Sequence, residues 1–144
     1  MTSMDAGSTT SGMQDKVLLA ARLLVAPLFI YSGIGKILAF GVTASRLPGG
    51  EGGFGSLLAA GSIIIELGGP LALILGIWTR YASIALAIFT ILATLMFHNF
   101  WASPPAQFVA QLVNFGKNLG LIGLFAMLAA FGAGAYSLDA RLKK

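Results

Sequence analysis

The chain has no cysteine. That excludes disulfide exchange, thiolate nucleophiles, iron–sulfur clusters and covalently attached haem. There is a single histidine, His98, so a haem held by two histidines of one monomer is excluded too. A zinc site needs three or four ligands, and His98 with Glu66 and Asp139 makes a poor set; no metal site is expected. Charge is the next shortage. Only 10% of the 144 residues are charged, against about 25% in a soluble domain. A water-facing globule of this length lacks the polar surface it needs. The net charge of +4 forms no basic stripe with interleaved aromatics, so nucleic acid is not an expected partner.

Apolar residues, by contrast, make up 57% of the chain, and the mean hydropathy is +0.88. They gather in four runs: Val17–Phe40, Ser56–Trp78, Tyr81–Phe97 and Asn118–Tyr136. A helix needs about 20 residues to cross a bilayer, and hydrocarbon admits only helices and closed barrels. These runs are too long and continuous for barrel strands. The expected fold is an all-α membrane protein, a four-transmembrane-helix bundle embedded in the lipid bilayer. Residues 1–16 carry no apolar run and read as a disordered tail; 17–139 form the membrane domain, and 140–144 a basic C-terminal tail.

The connections set the orientation. Segment 41–55, with Pro48-Gly49-Gly50 and Gly52-Gly53, reads as a flexible loop, and Thr79-Arg80 as a tight turn. Lys16, Arg22, Arg80, Arg141, Lys143 and Lys144 lie on one side, and Lys36, Arg46 and Lys117 on the other. The excess places both termini in the cytoplasm. Segment 98–117 is more than a loop. After Pro104-Pro105, the amides Gln107, Gln111, Asn114 and Asn118 recur at helical spacing, which predicts an amphipathic helix leading into the fourth span.

Two charges stand inside the runs. Glu66 lies about 15 Å along its helix from the nearer end, at 1.5 Å per residue, close to mid-membrane. A carboxylate there must be protonated, hydrated or paired. Pro70 lacks the amide hydrogen that would bond the Glu66 carbonyl. In the first run, Phe29, Gly33 and Lys36 share one face. His98 ends the third run, and Lys117-Asn118 opens the fourth on that same side. Phe29, Lys36, Glu66, His98, Trp101, Lys117 and Asn118 are therefore the candidate ligand-binding set. Glu66 is the one candidate for proton exchange. Donors at a mouth, an acid at the floor and aromatic walls suit a flat molecule bearing carbonyls, such as a quinone. The alternatives are a lysine that snorkels to water and an ion pair that only locks packing. Arg22, Arg80 and Asp139, at the other side, read as a structural ion-pair clamp.

These residues, in order, resemble the DoxX family of small four-helix bacterial membrane proteins. The matching segments are Phe29-Ile30-Tyr31-Ser32-Gly33-Ile34-Gly35-Lys36, Glu66-Leu67-Gly68-Gly69, Gly76-Ile77-Trp78-Thr79-Arg80, Phe97-His98, Phe115-Gly116-Lys117-Asn118-Leu119 and Ser137-Leu138-Asp139. The resemblance covers roughly residues 17–139 and implies a multi-pass protein of the bacterial inner membrane. DoxX-type proteins are mostly of unassigned activity. The related DoxD-type subunits belong to a thiosulfate:quinone oxidoreductase, and other relatives are linked to membrane complexes that handle thiol and oxidative stress. The resemblance thus implies redox partnership at the membrane, with membrane oxidoreductase subunits as partners. Together with the residues, the leading reading is a quinone-like or lipid ligand in that context. The residues agree on one point: no side chain here is redox-active, so electrons would have to come from a bound cofactor or a partner. A non-catalytic subunit is the second reading, favoured by Gly116-x-x-x-Gly120, which also permits a homo-oligomer. A proton or small-solute carrier using Glu66 is the third.

Overall fold

The computed structural model describes residues 5–142. Among these the chain is helical throughout, with no strand: α1 (Asp5–Leu38), α2 (Phe40–Ser45), α3 (Phe54–Leu75), α4 (Thr79–Phe97), a single 3₁₀ turn (Phe100–Ala102), α5 (Pro105–Phe131) and α6 (Leu138–Leu142). Four of these helices, α1, α3, α4 and α5, are long and apolar enough to cross a bilayer.

The bundle is apolar outside as well as inside, with a few polar groups buried within it. Large apolar side chains such as Leu24, Tyr31, Leu57 and Ile64 face outward, while Arg22 and Glu66 are 0% and 3% exposed. α4 buries Thr79, Ser83, Leu86, Thr90 and Thr94, one stripe at helical spacing, four of them hydroxyl residues. Hydrocarbon accepts leucine as readily as a core does, so association rests on close packing and internal hydrogen bonds. Gly69 lies against Leu86, and Gly33 against Leu67 and Glu66. Phe29 meets Phe125 edge-on at 5.4 Å between ring centres, tying α1 to α5. Around these sit Leu18, Val25, Leu73 and Leu128.

Three boundaries differ from the sequence expectation. The expected tail is helical from Asp5 onward and continues into the first span; residues 1–4 lie outside the described residues. Its last turn has a tertiary partner, since Asp15 Oδ1 accepts the Ala135 amide at 2.9 Å. Segment 41–55 is not all loop. The chain leaves α1 at Leu38 and re-enters helix at once as α2, because the amide of Thr43 still reaches the Ala39 carbonyl at 2.9 Å. The reversal comes later, at Gly49 and Gly50, whose φ values of 89° and 66° suit glycine. The fourth span is shifted. The amphipathic segment and the apolar run are one helix, Pro105–Phe131, and it ends at Gly132, φ 80°. Residues 132–136, expected within the span, form an irregular connection to α6.

The end of the molecule holding α6 is a clamp, but not of ion pairs. Buried Arg22 donates from Nη1 to the Leu73 carbonyl at 2.8 Å and from Nη2 to that of Tyr136 at 2.6 Å. It thereby joins the Gly76 amide, which bonds the same Leu73 carbonyl at 3.1 Å, in capping the C-terminus of α3, where the helix dipole attracts a cation. Asp139 accepts the amides of Trp78 and Thr79 at 2.9 and 3.1 Å, capping α4 from a distant segment. Arg80 donates to the Ala129 carbonyl at 3.1 Å. The expected ion pairs among these three are replaced by bonds to helix ends, because unsatisfied backbone groups are the stronger demand in a bilayer.

Candidate functional site

At the opposite end, which holds α2, the bundle forms a half-open cavity of about 750 Å³. Its floor is the mid-helix Glu66 of α3. Lys36 Nζ, on the last turns of α1, makes an ion pair with Glu66 Oε2. Ser32 Oγ, one turn earlier, donates to Oε1 at 2.8 Å. Both oxygens of the carboxylate are thus engaged. Among the described residues this is the one ion pair. It fits where Gly33 removes a side chain: a Cβ there would lie 2.8 Å from Leu67 Cδ2 and 3.3 Å from Glu66 Cβ. Lys36 also stands 5.1 Å from the centre of the Phe89 ring, a cation–π contact. Its side chain keeps 26% exposure and is part of the cavity lining.

The upper wall comes from α4 and α5. His98 lines the cavity, with Nδ1 2.8 Å from Gln111 Oε1. Asn118 lines it too; its Nδ2 donates to Thr94 Oγ1 at 2.8 Å. The amide stripe anticipated on the segment before the fourth span therefore supplies two partners to α4. α2 contributes Thr43, and Arg46 follows at its end, both at the mouth. Ser62 and Thr90 line the cavity with hydroxyls that bond their own helices. The rest is apolar, and Leu28, Leu57 and Leu92 belong both to the lining and to the lipid-facing surface.

Of the seven residues proposed from sequence, Phe29, Lys36, Glu66, His98 and Asn118 line this cavity. Trp101 and Lys117 do not. Trp101 packs edge-on against Phe100 and Phe115, at 5.1 and 5.8 Å between ring centres, and secures the connection between α4 and α5. Lys117 is exposed on α5. Neighbours on a helix point about 100° apart, so when Asn118 turns inward Lys117 turns out. Ser32, Phe89, Thr43 and Arg46 escaped the sequence reading. Ser32 had a signal, its four-residue spacing from Lys36. Phe89 had none, since a phenylalanine in an apolar run looks the same wherever it points.

The DoxX family model matches residues 17–99, which carry the Lys36–Glu66 pair and every cavity residue up to His98. The chain belongs to the DoxX family. It is 38% identical to the inner membrane protein YqjF of Escherichia coli, over 92% of this chain and 96% of that one. It is 29% identical to the inner membrane protein YphA of the same organism, over 87% and 89%. A Haemophilus influenzae protein is 33% identical over 85% and 88%. No solved structure matches. With four membrane-length helices and relatives of this kind, this DoxX-family chain is a multi-pass protein of the inner membrane.

Proposed function

We propose that this DoxX-family protein binds a membrane-soluble molecule with an oxygen-bearing head group, quinone-like or lipid, in the cavity above Glu66. One observation carries the reading: a lysine–glutamate pair, with a serine on the carboxylate, forms the floor of a largely apolar space of about 750 Å³ with a few polar side chains higher up. Pockets for small ligands run from about 300 to 1,000 Å³, apolar with a few placed polar groups. Charges inside a bilayer are costly and tend to mark working sites. A pair needed only to lock helices would serve equally well sealed off, whereas Lys36 remains partly open to the cavity. Lys36 can donate to a carbonyl or phosphate oxygen, and Asn118 Oδ1 can accept from a hydroxyl. On the quinone-like version of this reading, Glu66 would exchange a proton with the reduced head, giving up its bond to Lys36 or Ser32 to do so. In an oxidoreductase setting the electrons would come from a partner subunit, because this chain has no redox-active side chain.

The test is to purify the full chain in mild detergent and identify bound small molecules by mass spectrometry. Wild-type protein should carry a stoichiometric amphiphile, and Glu66→Gln with Lys36→Met should carry at least tenfold less while keeping its helix content. A folded wild-type protein with no amphiphile would defeat the reading.

A second reading, that of a non-catalytic subunit, has its own observation. Gly116, Gly120 and Gly123 lie exposed on α5, and a Cβ on any of them would meet nothing within 4 Å. These glycines do not serve packing inside the bundle. They leave a smooth surface on which another transmembrane helix could lie close. Recovery of a protein partner in fixed ratio, with the cavity empty of ligand, would favour this reading.

A further inference from the structure

The charged residues lining the cavity do not cancel. They are Lys36, Glu66 and Arg46. Glu66 is taken up by Lys36 and Ser32. Arg46 remains. Among the described residues its guanidinium makes no ion pair, and its backbone amide bonds the Thr43 carbonyl at 3.2 Å. The lining therefore carries one net positive charge, at Arg46 where α2 ends; the Glu51 carboxylate lies against α2 at Gly41 but neither lines the cavity nor pairs with Arg46. Arginine always stays charged, and its planar fork matches the oxygens of a phosphate or carboxylate. Thr43, one turn earlier, lines the same mouth and adds a hydroxyl donor.

The placement of charge and grease along the cavity has a matching shape. The cation is at the end of the bundle, and the neutral pair is deeper. The side walls at Leu28, Leu57 and Leu92 face lipid as well as cavity. A ligand whose head sits at Arg46 can leave its chains in the bilayer through that wall.

We infer that the cavity takes an amphiphile with an oxyanion head, a phosphate-bearing membrane lipid of net negative charge, and that Arg46 is the counter-ion that selects it over a zwitterionic one. This rests on the amphiphile-binding reading above and narrows it to the lipid rather than the neutral quinone. An oxyanion could also arrive as a free ion, but the apolar walls match acyl chains.

The probes are phosphatidylglycerol, phosphatidylethanolamine with the same acyl chains, a short-chain ubiquinone and inorganic phosphate. Binding to the full chain in nanodiscs or detergent is read by native mass spectrometry. Wild-type protein should retain phosphatidylglycerol about tenfold better than phosphatidylethanolamine, the order expected of one charge-assisted contact. Arg46→Gln should bring the two to near parity, and Arg46→Lys should keep most of the preference. Lys117→Gln removes an exposed cation at the same end but outside the cavity, and should leave the preference intact. Loss of preference in Lys117→Gln equal to that in Arg46→Gln would mean general surface attraction and would overturn the inference. So would unchanged selectivity in Arg46→Gln, ubiquinone bound as well as phosphatidylglycerol, or inorganic phosphate competing as well as the lipid. Amphiphiles bound without charge preference would sink the inference and leave the broader reading standing. A wild-type protein that binds none of the three amphiphiles would remove both.

Discussion

Glu66 is 3% exposed and has two donors on its carboxylate. Removing one partner of such a pair leaves a buried charge without compensation, at a cost of about 3–5 kcal/mol in soluble cores. Lys36→Met alone should therefore be more harmful than its partly exposed position suggests, because Glu66 keeps only Ser32. Combining it with Glu66→Gln removes the stranded charge. The double variant should be more stable than the sum of the singles by at least about 1 kcal/mol, the coupling expected of residues in contact. Unfolding in detergent by a denaturant titration reads this directly, and strict additivity would mean the two side chains do not interact. The geometry also explains why the lysine was readable in the sequence and its setting was not. A charge in an apolar run stands out by composition. The residues that hold the pair, Ser32 on Glu66 and Phe89 under Lys36, are ordinary ones made specific by those partners, 34 and 53 positions away respectively.

Among the elements, the cavity depends on how α2 is pinned to α3. Gly55, buried at the start of α3, allows it: a Cβ there would lie 2.5 Å from the Ala44 carbonyl oxygen and 2.6 Å from that of Gly50. Backbone atoms cannot step aside as a side-chain tip can. Gly55→Ala should cost about 1–3 kcal/mol, the usual range for overpacking, and should displace Arg46 from the mouth. Gly116→Ala, on the open face of α5, should not lower the isolated protein's melting temperature, since alanine fits there without a clash and favours the helix. Equal melting temperatures for the two variants would show that α2 is not pinned in this way. At the other end, Asp139 caps α4 through the Trp78 and Thr79 amides, and Trp78 is held in the left-handed region at φ 48°. Asp139→Ala should cost about 1 kcal/mol, as other lost caps do, measured by the same titration. Sequence spacing revealed the long helices because hydrocarbon demands long apolar runs. It concealed α2, which is six residues long and has no apolar face to advertise it.

For the molecule in its bilayer, the unequal share of basic residues predicts the direction of insertion. Both termini should be cytoplasmic, with the cavity mouth near the other surface. Cysteine placed at Gly50 or Ser103 should react with an impermeant thiol reagent added from the periplasmic side, and cysteine placed at Leu142 should not. The absence of natural cysteine makes the background clean. Labelling at Leu142 alone would invert the orientation and put the cavity mouth in the cytoplasmic leaflet.

Composition and patterning were enough to identify the solvent, the class of fold and the general location of the polar chemistry. A bilayer permits few architectures, and the cost of charge in hydrocarbon makes Lys36 and Glu66 conspicuous in the sequence itself. The remaining features follow from packing. Which of Lys117 and Asn118 turns inward depends on the rotation of α5, and composition says nothing about rotation. Whether Arg22, Arg80 and Asp139 bind one another or the ends of helices depends on which backbone groups the fold leaves unpaired. And Arg46, one of several basic residues in the chain, gains its meaning only when α2 folds back over the cavity. Apolar patterning against lipid sets lengths and faces roughly, because every outward face is equally apolar, and it is the inward contacts that build the site.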